Sequence, residues 1–306
     1  MSEPSSQVEI REIPIGDLAV GSELNARFES IHERGWLRHG IRRWLGLLSP
    51  ASKHPVVVLG AWDLALAGSA SLCGAIVGVW GDTPVRRFDD LLPAADGLEP
   101  ELAQVPDTRA DGPLAQVPDT RAHTPEARPS GGFWHFVAVT KAPDTEHRVA
   151  NPLLEAALDF VQSQQGAAQA RTLSPIGGLD RVWATLGDGQ QHGPPAAFVR
   201  QCLESLCTAD GKGHFPITWL HPARGATLEA VLHDSRRDER RSCGITLRFA
   251  YDLDPKVRAE NAAAWAAFLA ARGEAVRTGQ AREAGIEDRY FASAPLPPCF
   301  RDTDWG

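Results

Sequence analysis

A short polar loop in the middle of the chain has the residue types and the position of an anion-binding site. The segment FWHFVAVT is typical of a strand, KAPDTEHRVA of a loop and NPLLEAALDFV of a helix. The first N–H groups of a helix lack partners within the helix and carry partial positive charge, so a helix that follows a strand can hold a phosphate group. Such loops usually contain glycine, which lets the backbone approach the anion, but TEHRVA contains none.

Two side chains of this loop can take over the role of the missing glycines. The guanidinium of Arg148 can bind phosphate oxygens through two donors, and His147 adds another donor. The start of the helix adds the backbone of Val149, Ala150 and Asn151. The alternative is that TEHRVA is a solvated turn without a ligand, and the loop alone does not decide between the two.

The elements around this loop must position it, and they predict a mixed α/β architecture. Strands are indicated by VEIREI and by the apolar runs HPVVVLGAW and LCGAIVGVW, and a helix by LNARFESIHERGWLRHGIRRWL. After the loop, ARTLSPIGGL reads as a strand that enters a turn, and PAAFVRQCLESL as a helix. The segment from HFPITWL to GITLRFAYDL reads as a strand, a turn, a strand or helix at TLEAVL, a polar loop and a last strand. NAAAWAAFLAARG is an alanine-rich helix. Strict alternation along FWHFVAVT places one set of residues on a common face, namely Trp134, Phe136, Ala138 and Thr140.

Composition bounds the class of protein. With 306 residues and 43% hydrophobic composition, the chain can bury the core of one large domain. Its net charge of −8 argues against a nucleic-acid partner. The N-terminal MSEPSSQVEI lacks a signal-peptide pattern, and no apolar run approaches the ~20 residues of a membrane span. We therefore expect a soluble protein with neither a membrane nor a nucleic acid as partner, and the oligomeric state stays open, a homo-oligomer included.

Cysteine spacing and motif searches narrow the chemistry further. The five cysteines form no CxxC pair and no Cys/His ligand spacing, so we expect a reducing cytoplasm and no metal. The chain also contains no GxxxxGK[ST], no GxGxxG after a strand, no HExxH and no GxSxG. Nucleotide hydrolysis, dinucleotide redox chemistry, zinc proteolysis and α/β-hydrolase chemistry therefore lack their signatures.

A segment rich in Pro, Asp, Ala and Gly separates the two halves of the chain. Within it the nine residues LAQVPDTRA occur at 102–110 and again at 114–122. Two copies are too few for a solenoid, so we interpret 96–130 as a flexible insert with a slipped duplication in a tolerant loop. The alternative is that the repeat is a binding motif.

Four segments of the sequence resemble the malonyl-CoA decarboxylase family. ARTLSPIGGLDRVW resembles the family's T-L-S-P-I-P-G segment, and LHPARGATLEAVLHD its H-x-x-N-G-A-x-L-x-R segment. ELNARFESIHERGWLR resembles the segment that joins the family's helical and catalytic domains. FAYDLDPKVRAENAAAWAAF resembles the strand and the asparagine-containing helix that close the catalytic domain, and the order and spacing of all four agree.

The resemblance covers most of 20–270 and implies a domain of the GNAT fold, a mixed central sheet flanked by helices whose splayed central strands admit acyl-coenzyme A. The substrate it implies is a malonyl-type CoA thioester. Under this interpretation 1–50 is a shortened N-terminal helical part, 51–95 and 131–275 are the two halves of the catalytic domain, and 276–306 is a tail. The CoA phosphates are then assigned to residues 147–151, with Thr140 near the thioester. An ordinary strand threonine is the alternative for Thr140.

The resemblance also assigns the catalytic pair. The serine of T-L-S-P corresponds to Ser174 and the histidine of H-x-x-N-G-A to His221. Decarboxylation of a malonyl thioester requires no acceptor, because the thioester carbonyl takes up the electron pair. The site must stabilise the enolate and then protonate its carbon, for which neutral donors are suited. His221 can bind the carboxylate or enolate oxygen and return a proton, and Ser174 can bind the carboxylate or orient the imidazole.

This sequence departs from the family pattern at several points. Arg224 stands where the family has asparagine, Gly177 stands where it has the second proline, and the loop before the helix is free of glycine. Two other functions therefore stay open. One is an acyltransferase of the same fold that passes the acyl group to an amine or a thiol. The other is a non-catalytic CoA-binding or interaction protein.

Overall fold

The computed structural model describes residues 7–19, 21–35, 55–81, 132–164, 167–186, 196–204, 220–233, 235, 240–277 and 303–304. These ranges contain seven strands: β1 (Val8–Glu12), β2 (Val56–Asp63), β3 (Leu72–Gly81), β4 (Gly132–Lys141), β5 (Ala167–Pro175), β6 (Thr227–Leu232) and β7 (Thr246–Tyr251). They also contain five α-helices: α1 (Glu23–Gly35), α2 (Ala150–Ser163), α3 (Leu179–Leu186), α4 (Ala196–Glu204) and α5 (Pro255–Arg277). The insert 96–130 with its repeat lies outside the described residues, as does most of the tail.

The strands form one mixed sheet in the order β1-β2-β3-β4-β5-β7-β6. β4 and β5 run parallel, with α2 as the crossover between them, and every other neighbouring pair is antiparallel. A parallel pair requires such a crossover, because its second strand must begin at the same edge as the first. The predicted mixed sheet flanked by helices is confirmed.

Apolar patterning explains why these segments take these places. β3 is buried along its whole length except for its last residue, as expected for the uninterrupted apolar run LCGAIVGVW in the middle of a sheet. α2 buries one stripe, formed by Leu153, Leu154, Ala157, Leu158 and Val161, which repeats at helical spacing and packs on the sheet. α1 covers the opposite face through Phe28 and Ile31. No helix among the described residues is long and apolar enough to cross a membrane.

The two parallel strands part before they end. The ladder between β4 and β5 stops at the pair Phe136 and Thr172, although β4 continues to Lys141 and β5 to Pro175. Beyond that pair, the edges of the two strands that face each other make no ladder bonds with one another. The splay implied by the family resemblance is therefore present at the carboxyl ends of β4 and β5.

A β-bulge in β4 overturns the strict alternation predicted for this strand. Gly78 of β3 pairs with Phe136 and Val77 pairs with Ala138, so Val137 is an extra residue in β4. Trp134 and Phe136 belong to the core under α2, whereas Val137 packs in the core under α1.

After the bulge the facing is reversed. Thr140 pairs in the ladder with Ala75, which belongs to the core under α1. The side chain of Thr140 accordingly lies on the α1 face. Strict alternation had placed it on the face of Trp134, and this prediction was wrong.

Candidate functional site

Ser174 lies on β5 just beyond the point where β4 and β5 part. It shares a face of the strand with Ala170, and its ladder partner on β7 is Leu247, so it lies on the same face of the sheet as α2. The side chain is buried, and its hydroxyl oxygen Oγ is 2.9 Å from Nε2 of His221. The structure thus brings together the two residues that the family resemblance assigned as the catalytic pair.

His221 is held by the turn that precedes β6. It caps the short 3₁₀ helix Pro222–Arg224, whose first residue is a proline that fixes the backbone at this point. The imidazole is buried, and its ring centroid is 4.8 Å from that of Phe249 on β7. Its Nδ1 atom is 2.6 Å from the hydroxyl of Tyr251, so both ring nitrogens have a hydrogen-bond partner.

Tyr251 is a third member of this group, which sequence analysis did not identify. It is the last residue of β7, lies opposite Ala170 of β5 in the ladder, and is fully buried. Its only signal in the sequence is its place in the segment FAYDL. Nothing local distinguishes it from a core tyrosine, because its role depends on the pairing of β5 with β7.

Burial sets the protonation states of this group. Loss of solvent and, as a smaller effect, the nearby charge of Arg224 together lower the pKa of His221 to about 3. Burial also raises the pKa of the Tyr251 hydroxyl. At neutral pH the imidazole therefore carries a single proton and the phenol is un-ionised.

These protonation states leave two possible directions for the hydrogen bonds. A neutral imidazole has one donor and one acceptor nitrogen. Either Tyr251 donates to His221 and His221 donates to Ser174, or both hydrogen bonds have the opposite direction. Among the described residues, the only hydrogen-bond partner of the Tyr251 hydroxyl is His221. If Nδ1 donated to Tyr251, the phenol proton would be buried without an acceptor, which is unfavourable.

The favoured arrangement has Tyr251 donating to Nδ1 and Nε2–H donating to Ser174 Oγ. The Ser174 hydroxyl proton is then free at the point where β4 and β5 part. Ser174 in this arrangement is a hydrogen-bond donor to a ligand and not a nucleophile activated by a base.

The loop that precedes α2 reaches the same edge of the sheet, because β4 and β5 are parallel and both end there. Arg27 of α1 binds both carboxylate oxygens of Asp144, at 2.9 and 3.0 Å. His147 lies with Nε2 3.0 Å from the carboxylate of Asp63 at the end of β2. Val149 is buried against Gly74 of β3, where any Cβ would come within 2.6 Å of Val149 Cγ2. Side-chain contacts thus fasten this glycine-free loop.

The residues that sequence analysis assigned to phosphates differ in their surroundings. Arg148 is exposed, and within the described ranges it has no hydrogen bond or ion pair. Ala150 and Asn151 are exposed at the start of α2, whose N-terminus has no side-chain cap. His147 is engaged with Asp63, so its assignment to a phosphate, like the others, stays a prediction.

Thr140 lies apart from Ser174, on the opposite face of the sheet. Its hydroxyl is 3.2 Å from Nε2 of His32, a buried residue of α1 whose Nδ1 contacts the carbonyl oxygen of Phe28 at 2.9 Å. Burial lowers the pKa of His32 to about 4, so the imidazole is neutral at neutral pH. Because Nδ1–H donates to the carbonyl, Nε2 accepts the proton of Thr140.

Two other observations concern ligand binding. A cavity of about 490 Å³ lies between β1, the end of β2 and the start of α1, and it shares no residue with Ser174, His221 or Tyr251. Within the described ranges, no three His, Cys, Asp or Glu side chains are grouped to hold a metal ion.

Comparisons with known proteins find similar structures but no similar sequence. No family model and no curated protein matches the chain. Among solved structures, a malonyl-CoA decarboxylase from Agrobacterium vitis is similar with a TM-score of 0.57 at 15% identity, over 85% of this chain and 63% of that one. The loading GNATL domain of CurA from Lyngbya majuscula is similar with a TM-score of 0.46 at 15% identity, over 81% of this chain and 98% of that one. A GNAT-like decarboxylase, GphF, in complex with isobutyryl-CoA is similar with a TM-score of 0.44 at 15% identity, over 80% of this chain and 99% of that one.

This chain therefore spans less than two thirds of the length of the Agrobacterium decarboxylase. At this level of identity the likeness extends to the fold alone. The chain has a GNAT-like fold, with a mixed sheet flanked by helices and a splay between its two parallel strands.

Proposed function

We propose that the chain decarboxylates a malonyl-type CoA thioester to the corresponding acyl-CoA and carbon dioxide. The observation that carries this proposal is the buried hydrogen-bonded group of Tyr251, His221 and Ser174, which ends in a serine hydroxyl at the splay. The two residues of this group that the family resemblance predicted, 47 positions apart in the sequence, lie in direct contact.

The splay is a suitable place for the extended arm of CoA. The amide groups of that arm can bond to backbone groups of β4 and β5 that the strands no longer exchange with each other beyond Phe136 and Thr172. The phosphates then lie at the start of α2, where uncapped N–H groups and the exposed Arg148 can bind them. The thioester follows the strands toward Ser174.

The chemistry needs a donor where negative charge develops. When the carboxylate leaves as carbon dioxide, the electron pair of the broken carbon–carbon bond forms the thioester enolate. A hydrogen bond from Ser174 to the enolate oxygen stabilises that charge. Nε2–H of His221 holds the Ser174 hydroxyl in place. The enolate carbon then takes one proton from solvent, and Ser174 remains the hydrogen-bond donor, held by the neutral imidazole of His221.

Decarboxylation and acyl transfer differ in what they require of the site. An acyltransferase must admit an acceptor to the thioester through a channel opposite CoA. Decarboxylation needs no such channel, because no acceptor takes part.

The test is incubation of the protein with malonyl-CoA alone, analysed by mass spectrometry. Decarboxylation predicts acetyl-CoA and carbon dioxide without any acceptor. Malonyl-CoA that stays intact until an amine or thiol is added would identify an acyltransferase. CoA binding without turnover of any thioester in a panel would indicate the non-catalytic function.

Substitution of Arg148 tests the phosphate site. Arg148→Ala is expected to weaken CoA binding about tenfold to hundredfold, because one charge-assisted contact contributes about 1.5–3 kcal/mol. Titration calorimetry with CoA measures the change. Glu146→Ala is the control in the same loop, since it removes an exposed side chain without removing a cation. Unchanged affinity in a folded Arg148→Ala protein would reject this site.

A further inference from the structure

Arg224 occupies a position next to the catalytic group where the resembling family has a neutral asparagine. It is the last residue of the 3₁₀ helix that begins directly after His221. Its side chain is only 17% exposed, so the guanidinium is largely removed from water. A desolvated cation requires compensation by neighbouring groups.

The compensation given by the described residues is incomplete. Nη1 donates to the carbonyl oxygen of Leu220 at 3.0 Å, but Nε is buried and has no hydrogen-bond partner among them. The carboxylate of Glu155 on α2 lies 3.7 Å from Nε, too far for a hydrogen bond, and its side chain is 58% exposed. An exposed, solvated carboxylate at this distance stabilises a guanidinium weakly and can be displaced.

The charge of Arg224 acts on the catalytic group. Behind the dominant effect of burial, it contributes to the lowered pKa of His221, and it opposes the raised pKa of Tyr251. Both effects require that its field reach the buried hydrogen-bonded group. An anion bound near Ser174 therefore experiences the same attraction.

We propose that Arg224 forms a carboxylate subsite beside Ser174 and His221, so that the chain prefers CoA thioesters of dicarboxylic acids over thioesters of neutral acyl groups. The edge of the guanidinium that includes Nε can bind a carboxylate through two parallel hydrogen bonds once Glu155 moves away. This inference rests on the proposed function, because it requires the acyl group to lie at the splay. Negative charge moves from the carboxylate to the thioester oxygen during decarboxylation. Arg224 is therefore expected to increase the affinity for the substrate and not the rate of the reaction.

The test compares succinyl-CoA with butyryl-CoA by titration calorimetry. The two differ only in a carboxylate that replaces a methyl group, and loss of the succinyl carboxylate would not give a thioester enolate, so both stay intact. The wild-type protein is expected to bind succinyl-CoA about tenfold to hundredfold more tightly. Arg224→Gln should remove this preference and leave butyryl-CoA binding unchanged, whereas Arg224→Lys should retain part of it.

Two controls separate this subsite from the phosphate site and from misfolding. Arg148→Ala should weaken both thioesters by the same factor. Glu155→Gln, an exposed substitution, should tighten succinyl-CoA binding by several-fold because the competing carboxylate is removed. Equal affinities in the wild-type protein, or an equal loss of both thioesters in Arg224→Gln, would overturn the subsite. Failure of the wild-type protein to bind either thioester would overturn the subsite, and turnover of malonyl-CoA would then decide the proposed function separately. Absent malonyl-CoA turnover with an intact succinyl preference would overturn only decarboxylation.

Discussion

His221→Asn and Ser174→Ala are each expected to lower the rate of malonyl-CoA decarboxylation at least about a hundredfold. Ser174→Ala removes the donor to the developing oxyanion, and His221→Asn removes the imidazole that fixes this donor, each with little change of shape. Loss of one such donor has an effect of that order. Tyr251→Phe should cause a smaller loss, because the phenol does not contact the substrate in the proposed arrangement but fixes which nitrogen of His221 carries the proton. Production of acetyl-CoA under saturating substrate measures all three variants.

The control for these variants is a histidine outside the group. His233 follows β6 and is half-buried, and His233→Asn should retain the wild-type rate. Circular dichroism confirms that each variant is folded. Acetyl-CoA formed equally fast by wild-type protein and His221→Asn would rule out the proposed role of the histidine, and the same result for Ser174→Ala would rule out the serine as donor.

The pH dependence of the same rate gives an independent check. Because burial lowers the pKa of His221 to about 3, the imidazole stays neutral from pH 8 down to pH 5. An active form that requires neutral His221 should therefore show no loss of rate near pH 6.5, where an exposed histidine titrates. A limb of the kcat profile near pH 6.5 that disappears in His221→Asn would contradict the buried, neutral state.

The sequence predicted the elements well and singled out Ser174 and His221, because both leave local signals, and the structure places these two residues in contact. Uninterrupted apolar runs and helical stripes mark β2, β3 and α2. Ser174 and His221 lie in short segments that resemble known ones. Nothing in the spacing of these two residues indicated contact, since the contact arises from the pairing of β5 with β7 and the turn before β6.

The features that the sequence did not predict depend on neighbours across the sheet. The bulge in β4 carries no signal in FWHFVAVT itself, but β3 contains Gly78 opposite Phe136. A Cβ at Gly78 would lie 2.8 Å from the Phe136 ring, so this glycine makes room for the aromatic side chain at the bulge. A glycine within an otherwise apolar strand is the available indication of such an irregularity, and here it lies on the partner strand.

Gly225→Ala is expected to lower both stability and activity strongly, since Gly225 packs the His221 turn closely against α5. Its φ of 78° lies in the left-handed region, which costs an alanine roughly 1–2 kcal/mol. An added Cβ would also come within 2.0 Å of the backbone oxygen of Arg258 on α5, so the turn or the helix must move. Asn261 of α5 donates to the Gly225 carbonyl at 3.2 Å, a bond that the same movement would disturb.

Gly68→Ala separates the two causes. Gly68 also has a left-handed φ, of 62°, but a Cβ there would meet nothing within 4 Å, so only the backbone penalty applies. We expect Gly68→Ala to lower the melting temperature modestly and to leave the decarboxylation rate unchanged. Gly225→Ala should lower the melting temperature further and also reduce the decarboxylation rate, because it displaces His221. Equal melting temperatures for the two variants, together with an unchanged rate in Gly225→Ala, would show that close packing of the turn on α5 does not hold the histidine in place.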